Sequence, residues 1–166
     1  MQAAPGAAPQ HFEYLGDGKT DPRPGLISFM LKNIGTEGSL LAYNASFEAK
    51  RIEELARDFP EYGSALLALI GRFEDLMKPF LERAYVHPQC HGRFSLKKVL
   101  PALIPDMTYE GLGVANGGDA QLAYLNILSG KLSPAEAEQI RKDLKVYCGQ
   151  DTMAMVKILE HLIGIV

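Results

Sequence analysis

"SLLAYNASFE", residues 39–48, decides how this chain is read. Its first half is a short, nearly continuous apolar run, the composition of a strand buried on both faces. Its second half changes character at once, presenting Asn44, Phe47 and Glu48. From Ser46 onward the apolar positions Phe47, Ile52, Leu55 and Phe59 take helical spacing, and the pattern stops before Pro60. A strand that ends in a polar residue, an aromatic and a carboxylate either turns a corner or sets a metal ligand at its carboxyl end.

On either side the pattern is of few strands and much helix. "HFEYL", 11–15, alternates and carries aromatics, so it reads as a short strand, followed by a turn-rich loop. "LISFMLKNI", 26–34, reads as a helix with Gly35 as its C-cap. "YGSALLALIGRF" is a second apolar helix after the one that ends at Pro60, and "FEDLM", 73–77, reads as another strand. Ser95 caps "LKKVLPALI", which Pro101 limits or bends. "AQLAYLNIL" is helical, with Asp119 read as its cap. "SPAE", 133–136, is a capping box with proline at the first helical position. It opens a helical stretch that runs to about Leu162, with Gly149 as a candidate break. The domain reading is a flexible tail over 1–10 and one domain over 11–166.

Bulk properties narrow the function. The chain has 166 residues, 47% hydrophobic and 22% charged, enough for one core. Its net charge of -3 supplies no global field for passive nucleic-acid binding, although a metal-dependent nuclease needs an acidic site in any case. Two cysteines, Cys90 and Cys148, are too few for a disulfide scaffold, which points to a reducing, cytoplasmic setting. No apolar run spans a bilayer, so no membrane partner is expected.

Chemistry is concentrated in two places. Tyr147 and Asp151 lie four apart in "YCGQD", one turn apart on one helix face. Taken alone, an exposed Asp beside a half-buried Tyr is the commoner explanation. Set beside Glu48, a strand-end carboxylate and a helix carboxylate can converge on one divalent cation such as Mg²⁺ or Mn²⁺. "HGRFSLKK" gathers Arg93, Lys97 and Lys98 beside Phe94, residues suited to phosphates and a base, and equally to a solvated helix start. "HPQCH", with His87, Cys90 and His91, falls short of a four-ligand zinc set and reads as an ordinary loop.

Taken together and in this order, the motifs resemble the DnaQ-like 3′–5′ exonucleases of the DEDDy type. "YNASFE" resembles their second motif, and "YCGQD" their third in its tyrosine form. "FEDLM" is similar to the family's strand ending in an Asp-Thr-like turn, and "FSLKKVLPALI" to the Ser-Leu-x-x-Leu helix that follows. The pattern from Tyr43 to Leu162 also resembles a bacterial domain family of unknown function with this exonuclease-type fold, often joined to a RecB-like nuclease domain. Residues 92–112 are its most specific part.

The resemblance implies an α/β fold: an RNase H-like mixed sheet flanked by helices. It implies Glu48 and Asp151 as metal ligands for Mg²⁺ or Mn²⁺, with Glu48 standing where Asp is usual. It further implies Tyr147 as the residue that orients the attacking water, and Asn44 and Phe47 near the 3′ nucleotide. Lys97 joins them as a substrate contact. The family's first motif, Asp-x-Glu on the central first strand, has no match; "HFE", 11–13, carries His11 where the Asp should be. The expectation is therefore an N-terminally truncated domain missing that strand, inactive or weak alone. Its longer parent, carrying an upstream nuclease domain, would degrade single-stranded DNA or RNA from 3′ ends. The edge left unpaired on "SLLAYN" would be covered by a second copy or by "HFEYL". The competing expectation is a non-catalytic scaffold or interaction domain.

Overall fold

Alternation and apolar runs give the local elements, and packing decides which of them become strands. In the computed structural model, which describes residues 7–114 and 116–165, the run at the start of "SLLAYN" becomes β1 (Leu40–Ala42) and "FED" becomes β2 (Phe73–Asp75). They pair in parallel, Leu40 with Phe73, Leu41 with Glu74 and Ala42 with Asp75. Parallel neighbours need a crossover. Here it is α2 (Ala45–Asp58), a short 3₁₀ turn, and α3 (Gly63–Ile70). Helix α1 (Arg23–Ile34) packs on this unit, with Gly35 at φ 69 closing it as expected. Ile27, Ile52, Ala56, Leu66 and Leu69 form the shared core.

The second half is entirely helical. After β2 come α4 (Lys78–Leu81), a 3₁₀ turn at Pro88–Cys90, α5 (Leu96–Leu103), α6 (Gly117–Leu128) and α7 (Pro134–Ile163). Two further cores lie along α7. Ala154 and Ile158 pack with Phe80, Val99, Leu100 and Leu103. Leu144 and Tyr147 pack with Val114 and with residues of α6. The capping box of α7 is complete, with Ser133 accepting from the Glu136 amide and Glu136 reaching back to Ser133. Helix α7 runs its 30 residues through Gly149 without a break. Asn116, not Asp119, is the N-cap of α6; its side chain accepts from the Asp119 amide.

These observations correct the expected fold class. The described residues build a mostly helical domain around a two-stranded parallel sheet, not an RNase H-like mixed sheet flanked by helices, with or without a missing first strand. "HFEYL" is not a strand. Its alternating side chains serve helices instead: Leu15 packs in the α6–α7 core, Tyr14 lies on Phe29 of α1, and Lys145 of α7 pairs with Glu13 at 2.8 Å. Arg141 of α7 then holds the Gly16 and Asp17 carbonyls. With "HFEYL" committed to helices, each strand has one unpaired edge among the described residues. β1 is also less buried than its composition predicts, because alternation leaves Leu41 37% exposed while Ala42 is buried. The first six residues of the expected tail lie outside the described residues.

Candidate functional site

The corner after β1 is tied to the corner after β2 by one side chain. Asp75 Oδ1 accepts from the amides of Asn44 and Met77, both at 2.9 Å, and Oδ2 from the amide of Ala45 at 3.1 Å. Three N–H donors satisfy this carboxylate and fix the carboxyl ends of both strands. Asn44 can take the left-handed conformation the corner requires, at φ 71, and its Oδ1 accepts from Ser46. The chain thus enters α2 abruptly, and Glu48 falls in the first turn of that helix.

Glu48 is half-buried there, and its Oε2 is buried without a hydrogen-bond partner. Burial pushes its carboxyl pKa up, and the neighbouring charge of Asp75 adds to the rise; a backbone hydrogen bond works against both. A hard, partnerless carboxylate oxygen beside a second acid suits Mg²⁺ or Mn²⁺. Phe47 points outward, 59% exposed, with the Arg51 guanidinium 5.5 Å from its ring centre.

The other predicted residues assemble around the middle of α7. The Tyr109 hydroxyl donates to Asp151 Oδ1 at 2.6 Å. Tyr147 is buried at 7% exposure, 6.1 Å from Tyr109 between ring centres. Lys97 of α5 sets its Nζ over both rings, 5.4 Å from Tyr109 and 5.8 Å from Tyr147. Burial and then the Asp151 charge push the Tyr147 phenol up to about 12. The same causes, in the same order, raise Tyr109 further.

Tyr147, Asp151 and Lys97 therefore form one cluster, while Glu48 and Asn44 form another around Asp75. The acid that acts on Glu48 is Asp75 rather than Asp151. The clusters are joined through packing: Tyr43, next to Asn44, packs on the core that holds Ala154 and Ile158 of α7. Among the described residues no group of three His, Cys, Asp or Glu side chains is placed to share a metal ion. Glu48 Oε2 has no hydrogen-bond partner, whereas Asp151 Oδ1 is taken by the Tyr109 hydroxyl.

Tyr109 is the member that motif reading passed over. It lies in the loop after α5, outside every motif that the sequence reading singled out for chemistry. Asp75 takes the turn-supporting role its place after a strand suggests, and extends it to both strands.

The chain combines a parallel β–helix–β unit, with acids near its carboxyl end, and a tyrosine–carboxylate cluster on a long helix. Residues 1–95 match the family described as a domain of unknown function (DUF2779), and the chain belongs to that family. It is similar to the uncharacterized protein UU173 of Ureaplasma parvum serovar 3, 30% identical over 140 residues that cover 75% of this chain and 20% of that protein. It is similar also to the uncharacterized protein MG366 of Mycoplasma genitalium, 28% identical over 145 residues, 81% of this chain and 22% of that protein. The MG366 homolog of Mycoplasma pneumoniae is 33% identical over 131 residues, 72% of this chain and 20% of that protein. The chain spans about a fifth of the length of these curated relatives. No solved structure matches. Among the described residues no helix is long and apolar enough to cross a membrane.

Proposed function

We propose that this chain contributes the second and third acidic motifs of a divalent-metal-dependent 3′–5′ exonuclease acting on single-stranded DNA or RNA ends. The proposal rests on the motif residues and not on the sheet architecture, which differs. The observation that carries it is Glu48 Oε2, a buried carboxylate oxygen without a partner in the first turn of α2. Keeping a polar atom there without a hydrogen bond costs stability, and a cation relieves that cost.

Glu48 would hold the ion, joined by Asp151 only where a rearrangement frees it from Tyr109 and brings the two clusters together; the ion would supply charge stabilisation and an activated water. Tyr147, protonated at neutral pH, would donate a hydrogen bond to orient that water. Asn44 and Phe47 flank Glu48 and would meet the terminal nucleotide. Lys97 lies against the Tyr109 and Tyr147 rings and would contact a backbone phosphate. The open edges of β1 and β2 support pairing with a further strand, from a second copy or from an upstream nuclease segment of a longer protein.

The test is release of nucleotides from 3′-labelled single strands with Mn²⁺, by the chain and by the chain extended with its native upstream sequence. The chain alone is expected to be inactive or weak, and the extended protein active. Asp151→Asn should abolish that activity, and Tyr147→Phe should slow it. The competing reading is a non-catalytic interaction domain. Engagement of Asp151 by Tyr109 favours it, and an inactive extended protein would shift the weight to it.

A further inference from the structure

A cleft of about 400 Å³ is formed by α4 and the loop that follows it. Its lining includes Arg83, His87, Arg93 and Phe94, with Phe80 and Tyr85 as aromatic walls. No acid lines it, although the chain as a whole carries a net charge of -3. Both arginine side chains are exposed and have no ion-pair partner among the described residues. The nearest acid in sequence, Glu82, is drawn to Lys78 at 3.9 Å instead. His87 Nδ1 is buried without a hydrogen-bond partner. Phe94 is 38% exposed.

Two unpaired guanidiniums and an accessible ring have a common complement. Guanidinium forks match phosphate oxygens, and an exposed ring offers a stacking face to a base. The volume lies in the range of sites that enclose a small ligand. We propose that this cleft holds an internal nucleotide of a single strand, with backbone phosphate on Arg83 and Arg93 and a base on Phe94.

The place of the cleft fits a strand leading to the candidate site. Tyr43 immediately precedes Asn44. Its hydroxyl donates to the Phe94 carbonyl at 2.6 Å, and its ring lies 6.4 Å from that of Phe80. One residue therefore contacts two cleft-lining residues and adjoins the corner that carries Glu48. The inference deepens the nuclease reading, on which its choice of ligand rests. It is tested with metal chelated, so the two can fail separately.

The experiment is fluorescence anisotropy of a labelled oligothymidylate of about a dozen nucleotides, in EDTA, across a salt series. An otherwise identical strand with abasic sites serves as the comparison. Arg83→Gln/Arg93→Gln should weaken binding at least tenfold and reduce the slope of log affinity against log salt by about 1.4, roughly 0.7 for each phosphate contact. Phe94→Ala should keep the salt slope and lose the preference for the base-bearing strand, expected at about fivefold or more in the wild type. Unchanged thermal melting of the variants checks that the fold is kept.

Wild-type affinity in the double variant, or equal binding of abasic and normal strands by the wild type, would overturn the assignment. Arginine-dependent binding without any Asp151-dependent cleavage in the extended protein would keep the cleft and remove the nuclease reading. Asp151-dependent cleavage with binding indifferent to both arginines would do the reverse.

Discussion

Tyr109 donates its hydroxyl proton to Asp151 Oδ1 at 2.6 Å, across 42 positions of sequence. This is the length of a charge-assisted bond, and it is only partly open to water. It joins the loop after α5 to the middle of α7 and occupies the carboxylate that the proposed function would need as a metal ligand. Tyr109→Phe removes the donor and keeps the ring beside Tyr147. We expect it to lower stability by about 1.5–3 kcal/mol, read as a fall in midpoint on urea denaturation. The same change should raise Mn²⁺ affinity severalfold in calorimetry, because Asp151 loses its competitor. Weaker Mn²⁺ binding would show that Tyr109 positions the carboxylate for metal, and equal binding would remove Asp151 from the metal site.

Glu48→Gln should stabilise the chain at neutral pH. The folded state raises the Glu48 pKa, chiefly through burial and then through Asp75. A raised carboxyl pKa means the native state holds its proton more tightly than the unfolded state. Stability from this group is therefore lost as pH rises through the carboxylate range, and neutral Gln avoids the loss. The site is half-open to solvent, so screening keeps the gain below about 1 kcal/mol, or roughly 1–3 °C in Tm. Melting curves against pH check the sign. The gap between variant and wild type should close below about pH 4, where both states are protonated.

How much of this was legible in the sequence follows from the range of each interaction. The helices were readable because their signals are local. Ser133 and Glu136 satisfy each other three residues apart, and Gly35 supplies the positive φ that ends α1. β1 and β2 were readable for the same reason. "HFEYL" was not, because alternation says only that every second side chain meets something apolar. Here that partner is α1 and α7 rather than a strand edge. The sheet type came from a resemblance between motifs, and motifs of four to six residues do not specify how many strands surround them. Spacing placed Tyr147 and Asp151 on one helix face, while a role for them and for Asn44 and Glu48 came only from the resemblance. Tyr109 was not legible, since its partner lies 42 positions away and only packing brings them together.

Asp75→Asn should separate the fold from the site. The wild-type carboxylate takes three amide donors from two corners. Asn retains one oxygen and turns an NH₂ group toward an N–H that needs an acceptor. We expect a loss of about 1–3 kcal/mol for that unsatisfied contact, measured by urea denaturation. Loss of the charge also removes one cause of the raised Glu48 pKa. The pH-dependent penalty found in the Glu48 comparison should then shrink in the Asp75→Asn background. An unchanged penalty would leave burial as its sole source.

The final prediction concerns the phenols. Burial raises the pKa of Tyr43, Tyr109 and Tyr147 above the ordinary tyrosine value, and Asp151 adds to the last two. The unfolded chain would ionise all seven tyrosines near about pH 10. Between that value and the higher folded values the native state holds more protons, so stability falls as pH rises through the window. An ultraviolet titration of phenolate should show these three ionising late, in a step that coincides with loss of near-ultraviolet circular dichroism. Asp151→Asn should move that step to lower pH, because loss of the Tyr109 bond weakens the fold and removal of the carboxylate eases phenolate formation. A step at unchanged or higher pH would show that Asp151 neither holds the cluster closed nor raises these phenols. The phenolates form only once the cluster opens, and the Tyr109–Asp151 bond is one of the contacts that keep it closed.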